Sequence, residues 1–199
     1  KNSELTVVQI EPNAKVAVAT RRQLDAMGVY GPRVVVHHTA APQLPYPDYL
    51  FNLVVVDRLG ESDSSPTPEE VTRLLRPFGV AVVASAPSQA SERAESRLRA
   101  WVGKTELTDV TMTDEGLTAV LRRGELPGSG QWTHQYGDPG NTACSEDRLI
   151  RRPLRLQWFG RPGPYRMFDR HAYTASPVYC YGRLFTLGER ILYGNDAYN

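Results

Sequence analysis

Phe51-Asn52-Leu53-Val54-Val55-Val56 and Leu74-Leu75-Arg76-Pro77-Phe78-Gly79-Val80-Ala81-Val82-Val83-Ala84 are the two stretches whose reading decides the fold. Leu53 to Val56 and Val80 to Ala84 are short runs, rich in β-branched residues and apolar at every position. A strand with one face in water alternates apolar and polar residues, whereas one in a parallel sheet covered on both faces does not. Between them, Ser65-Pro66-Thr67-Pro68-Glu69-Glu70 opens a helix, with Pro near the first helical position and acidic residues in the first turn. That helix is expected to reach Leu75 or Arg76, where Pro77-Phe78-Gly79 breaks it.

The same texture extends in both directions. Upstream, Leu5 to Ile10 is a strand ended by Glu11-Pro12-Asn13, and Ala14 to Met27 carries apolar residues near helical spacing with Gly28 as the stop. Val34 to Val36 is a further buried strand, and Pro42 to Asp48 a proline-rich loop. Downstream, Ser91 to Val102 reads as a helix. Leu107 to Met112, the turn Thr113 to Gly116, and Leu117 to Arg122 read as a β-hairpin. Strands alternating with helices argue for right-handed βαβ units in an α/β sheet.

The character changes at Gly124. Gly124 to Gly130 (GELPGSG) reads as a linker. Beyond it helical periodicity is lost, and strands are expected at Leu154 to Phe159, Val178 to Tyr181, Arg183 to Thr186 and Arg190 to Leu192. Two parts follow: an α/β part over residues 1–123 and an all-β part over residues 124–199. No complete repeat recurs within the chain.

Composition narrows the function classes. A net charge of +1 over 199 residues gives no electrostatic footprint for nucleic acid, and the arginines between Arg151 and Arg166 do not change that. No run of about 18 apolar residues offers a membrane span. The two cysteines, Cys144 and Cys180, flank different strands and are not expected to form a structural disulfide. The chain opens on Lys1-Asn2-Ser3-Glu4 without an initiator Met or an apolar leader, and stops on turn-forming residues. It is therefore expected to be a piece of a larger protein.

From Val8 to Ala84 the chain resembles a class I S-adenosylmethionine-dependent methyltransferase entered midway. Glu11 ends the first strand where that family places a carboxylate for the cofactor ribose hydroxyls. Leu44-Pro45-Tyr46-Pro47-Asp48 followed by Phe51 to Val56 resembles the family's loop and fourth strand, and Leu74 to Val80 its turn into the fifth. The Leu107 to Arg122 hairpin fits the antiparallel ending of such a sheet. The resemblance implies a Rossmann-like fold, S-adenosylmethionine as the parent protein's cofactor, and contacts at Glu11, Ala40 and Asp57. It also shows departures. Ala40 occupies the position of an adenine-binding Asp, Asn52 that of the Asp after the Phe, and Phe78 that of the second Gly in the turn. The family's glycine-rich first strand and loop would fall before Lys1. No catalytic residue is assigned.

Residues 124–199 resemble the start of a pyrroloquinoline-quinone-type β-propeller. Trp132-Thr133-His134-Gln135-Tyr136-Gly137-Asp138 through Asn141-Thr142-Ala143-Cys144-Ser145 is similar to the opening segment of such propellers. Leu156-Gln157-Trp158, Ser176-Pro177-Val178 through Phe185, and Asp196-Ala197-Tyr198-Asn199 are similar to their strands and turns. The pairing of the two regions resembles a bacterial domain combination whose members often carry export signals, which implies a periplasmic or exported parent. The quinone itself needs a full propeller and is not expected here.

Each candidate has a plainer alternative. Glu11 can be a solvated strand end. His37 and His38 have no acidic or thiol partner near in sequence to make them a general base. Asp57 can pair with Arg58 on the surface. His134, Asp138, Cys144 and Ser145 lack the spacing of a nucleophile set; Trp132, Tyr136 and Asp138 suit packing at a blade junction. Asp169-Arg170-His171 is a loop that either binds or simply turns. Two functions remain: methyl transfer from S-adenosylmethionine by the α/β part of the parent, or a degenerate α/β module joined to a propeller that binds a small molecule or a protein. The α/β part, without its first strand, is expected to expose strand edges and to associate, with Leu53 to Val56 and Val80 to Ala84 its best-protected strands.

Overall fold

The computed structural model describes residues 5–41, 43–60, 65–85, 91–107, 109–113, 117–151, 153, 175–188 and 190–198. Expectations for Leu154 to Phe159, Asp169 to His171, most of the Arg151 to Arg166 arginines and the tip of the Thr113 to Gly116 turn fall outside these residues.

The chain opens with a βαβ unit. Strand β1 (Val7–Glu11) leads into helix α1 (Ala14–Ala26), and β2 (Val34–His38) returns parallel to β1, with Val7 opposite Val34 and Glu11 opposite His38. Asn13 caps α1, its side-chain oxygen accepting from the Lys15 and Val16 amides at 3.0 and 3.3 Å. The chain leaves the helix through Gly28 at φ 68°, a left-handed position that glycine adopts without steric cost. Arg21 ties helix to sheet, donating twice to the Val36 carbonyl at 2.9 and 2.7 Å.

A second, four-stranded sheet follows in the order β3-β4-β6-β5, built from β3 (Phe51–Leu59), β4 (Leu75–Ser85), β5 (Asp109–Met112) and β6 (Thr118–Arg122). β3 and β4 are parallel, while β6 runs antiparallel to both β4 and β5. Helices α2 (Pro68–Leu74) and α3 (Ser91–Val102) bring Val71 and Leu98 onto the buried face of this sheet. Along β4 burial alternates strictly, with Ala81 and Val83 in the core beside Leu75, Ala119 and Leu121. Trp101 closes the core and donates its indole N–H to the Pro66 carbonyl at 3.0 Å.

Three expectations need correction. Helix α2 starts at Pro68 and stops at Leu74, and β4 begins at the next residue, so Pro77-Phe78-Gly79 interrupts no helix. It forms an irregularity inside the strand: Phe51 pairs with Leu75 and Leu53 with Val80, so a step of two residues on β3 faces a step of five on β4. Phe78 sits there at φ 61°. The local glycine-turn signal marks a bulge within the strand and not a helix stop. The second correction is that β3 runs to Leu59, placing Asp57 within the strand and not beyond its end. The third is that Pro66 and Thr67 precede α2, Thr67 being its cap.

Beyond Gly124 the described chain is all β. Strands β7 (Val178–Cys180), β8 (Arg183–Gly188) and β9 (Ile191–Asp196) make an antiparallel sheet. Trp132 extends it, exchanging two backbone hydrogen bonds with Tyr179 at 3.0 and 2.7 Å. The segment before β7 folds on itself: Asp138 accepts from Thr142, and the Asp147 carboxylate takes the Leu149 and Ile150 amides at 2.9 and 2.8 Å and the Gly130 amide at 3.1 Å. Cys144 and Cys180 are free thiols. Among the described residues no helix is long and apolar enough to cross a membrane.

Candidate functional site

Parallel strands leave their carboxyl ends on one edge, and in open α/β sheets ligands bind there. At the β1–β2 edge lie Glu11, His38, Thr39 and Ala40. The Thr39 amide donates to the Glu11 carbonyl at 3.3 Å, so the turn after β2 closes directly over the end of β1. The Glu11 carboxylate is partly buried and accepts the Asn13 amide through Oε1 at 2.9 Å. This fixes the carboxylate at the mouth of the βαβ crossover with Oε2 turned from that bond, an arrangement suited to accepting a hydroxyl.

Ala40 is exposed on the same edge. A methyl group accepts no hydrogen bond, so this position cannot bind an amino group as a carboxylate would. Asp57 is on β3, exposed, with the Arg58 Nε 3.8 Å from its Oδ2; the plain surface-pair reading describes its setting. The structure thus brings Glu11 and Ala40 together and leaves Asp57 on another strand. His38 is exposed, and His37 faces elsewhere: its Nδ1 hydrogen-bonds the Tyr46 hydroxyl, and the two rings stack at 5.7 Å. Tyr46 in turn packs edge-on against Phe51 at 5.3 Å, with burial raising its hydroxyl pKa. His37 is therefore a packing and hydrogen-bonding residue that joins β2 to the start of β3.

Sequence reasoning missed the group that holds this loop. Arg73, on α2, makes a two-pronged contact with Glu70 at 2.8 and 2.7 Å and reaches Asp48 at 2.8 Å. It also donates to the Tyr46 and Leu44 carbonyls at 2.7 and 3.1 Å. Glu70 is buried and accepts the Leu44 amide at 2.8 Å. The Arg73 hydrogen bonds hold the Glu70 carboxyl below the usual range despite its burial. The sequence signal was the Glu-x-x-Arg spacing on a helix beside a proline-rich loop, which is too common to be diagnostic.

Of the second candidate set, His134 bonds Thr133 at 2.8 Å and Asp138 is engaged by Thr142. Both contacts are local, and they give Asp138 the role of a turn former. Trp132 joins the sheet through its backbone bridge to Tyr179, whereas Tyr136 is exposed.

No family model matches the chain, and no curated protein matches it. Solved structures do. A Methanococcus maripaludis protein named for S-adenosyl-L-methionine-dependent methyl transfer superposes with a TM-score of 0.50 at 10% identity, over 62% of this chain and 69% of that one. An Aquifex aeolicus SAM-dependent methyltransferase aligns at 13% identity over 61% and 69%, TM-score 0.42. A Clostridium thermocellum protein named as an rRNA methylase aligns at 14% over 61% and 74%, TM-score 0.47. The first of these establishes the fold: the α/β part is a methyltransferase-like, Rossmann-like sheet. Identities this low say nothing of activity.

Proposed function

We propose that the α/β part carries the ribose-binding side of an S-adenosylmethionine site, and that methyl transfer, where it occurs, is a property of the whole protein. The observation that carries the reading is Glu11, a carboxylate fixed by the Asn13 amide at the carboxyl edge of a parallel βαβ unit. A carboxylate in that place accepts both ribose hydroxyls. The remaining described residues fit the cofactor incompletely. Ala40 offers the adenine no side-chain acceptor, and among the described residues no glycine-rich loop lies at the β1–β2 edge. The chain alone therefore binds the cofactor weakly. Methyl transfer depends mainly on aligning the sulfonium with its acceptor, and nothing in the described residues assigns that alignment to this chain.

The all-β part is proposed to be the beginning of a propeller that binds a small molecule or a protein, in an exported bacterial parent. The antiparallel β7-β8-β9 sheet, extended by Trp132, is consistent with a blade. The alternative of a degenerate, non-catalytic α/β module draws support from Ala40 and from the surface pairing of Asp57.

Calorimetric titration with S-adenosylmethionine is expected to give no dissociation constant near or below about 10 μM, roughly −7 kcal/mol. Amide shifts recorded at millimolar cofactor are expected at Glu11, His38, Thr39 and Ala40. Tight binding would refute the weak-binding claim. Shifts absent from that edge would refute the ribose assignment.

A further inference from the structure

Gly124 to Gly130, expected as a linker, is held along its length. The Gly124 carbonyl accepts the Phe78 amide at 3.4 Å and the Gly128 carbonyl accepts the Arg148 amide at 2.9 Å. The Gly130 amide donates to the Asp147 carboxylate at 3.1 Å. Gln131 donates to the Glu125 carboxylate and accepts the Tyr181 amide at 3.1 Å. The segment is therefore a strap between the β4 bulge and the Tyr181-Gly182 turn that joins β7 to β8. The same turn and the end of β9 also meet the bulge directly. Arg76 pairs with Asp196 at 2.7 Å, and its Nη1 donates to the Pro77 carbonyl at 2.7 Å, which holds the guanidinium on the bulge. The Phe78 ring lies against Gly182 with the Tyr198 ring beside it. Tyr198 is tied through its hydroxyl to that of Tyr179 at 3.0 Å, and the Ala197 amide donates to the Gly182 carbonyl at 2.9 Å.

We propose that the Pro77-Phe78-Gly79 bulge is the docking element of the all-β part, fixing that part at the amino end of β4 as a rigid neighbour and not as a lid over the carboxyl edge. A bulge re-aims side chains and bends its strand. Here the longer step on β4 carries Phe78 to Gly182, and Arg76 beside it supplies a charge that Asp196 answers. Ligands of open α/β sheets bind at the carboxyl ends of the strands. For β4 that end is Ser85, about 20 Å beyond Phe78 at the rise of a strand. Moving the all-β part there would separate a largely buried ion pair, which leaves each charge without its partner. The dock fixes orientation without merging the two sheets, which share no strand pairing among the described residues. The inference rests on the reading of the α/β part only for where the cofactor edge lies. On that reading, an acceptor reaches the edge without passing the all-β part.

Residual dipolar couplings of the backbone amides in the whole chain test this. Couplings from β4 and β6 and from β8 and β9 are expected to fit one alignment tensor, with the all-β part oriented at the amino end of β4. Asp196→Lys sets an ammonium against the Arg76 guanidinium and is expected to abolish the common fit. Arg76→Glu/Asp196→Lys is expected to recover it. Phe78→Gly removes the ring while suiting the positive φ, and is also expected to lose the common fit. Unchanged amide shifts at Ala81, Leu121, Thr186 and Tyr193 show that both parts remain folded in each variant. Separate tensors in the wild type, or an orientation that brings the all-β part to Ser85, would overturn the proposal. So would a common tensor kept by both Asp196→Lys and Phe78→Gly, or one not recovered by the reversed pair. The couplings are read without cofactor, so their failure is distinguishable from failure of the titration with S-adenosylmethionine.

Discussion

Phe78 and Gly182 are fitted to one another: a Cβ built on Gly182 would lie 2.7 Å from the Phe78 ring. Both residues hold positive φ, 61° for Phe78 and 76° for Gly182. A bulky residue in the left-handed region costs about 1–2 kcal/mol, and here the bulge aims its ring at a site where only glycine leaves room. Gly182→Ala is therefore expected to destabilise the chain by about 2–3 kcal/mol, combining backbone strain with overpacking. Urea unfolding measures it. A loss under about 0.5 kcal/mol, the size of an ordinary surface change, would mean the contact carries no weight.

The same junction holds an ion pair. Arg76 on β4 and Asp196 on β9 meet at 2.7 Å, with side chains 12% and 15% exposed. Removing one partner of a shielded pair strands the other charge, which is worse than removing both. Asp196→Ala is expected to cost about 2 kcal/mol, and Arg76→Met/Asp196→Leu less than that single change. A double-mutant cycle in urea reads the difference; strictly additive losses would show that the two charges act independently.

Glu70 makes stability depend on acid. Its folded pKa is depressed, first by the Arg73 hydrogen bonds and also by the Leu44 amide. The folded state thus prefers the ionised carboxyl, and the stability this adds is present above the unfolded value of about 4.3 and lost as pH falls through the lower folded value. Glu70→Gln is expected to cost about 1–2 kcal/mol at neutral pH, less than stranding a fully buried charge because Arg73 keeps Asp48 and two carbonyls. The wild type should lose that advantage progressively as the pH is lowered below about 4.3. An advantage that stayed constant from pH 7 to pH 3 would show that the carboxyl does not titrate with folding.

How much of this was legible depends on range. β4 and β6 were readable because an apolar strand and a hairpin write themselves as local runs, and α1 because Asn13 and Gly28 mark its ends. The limits of β3 and β4 were not, because Phe51, Leu75 and Leu59 enter strands through pairing with residues over 20 positions away. Pro77-Phe78-Gly79 looked like a break for the same reason: only the register between β3 and β4 reveals a bulge. At the site, Glu11 and Ala40 could be placed because a βαβ unit fixes which strand end meets which. The Arg73 clamp could not, since its five acceptors are spread over Leu44, Tyr46, Asp48 and Glu70, and no spacing in the chain predicts their convergence.

Hydrogen exchange orders the parts. β4 is paired on both sides, by β3 and β6, and its inner face is in the core, so Val80 to Ala84 should exchange most slowly. Leu53 to Val56 should follow, because β3 is paired only to β4 among the described residues. Residues beyond Gly124 should exchange fastest, since their sheet has three described strands and meets β4 chiefly through Phe78 with Gly182 and Arg76 with Asp196. Gly182→Ala should speed exchange in β8 while leaving Val80 to Ala84 slow. The measurement has a clear adverse outcome: if β8 in a dilute, monomeric sample exchanged as slowly as Val80 to Ala84, with both speeding up together in the Gly182 variant, the two parts would be one cooperative unit and the division at Gly124 would have no energetic meaning.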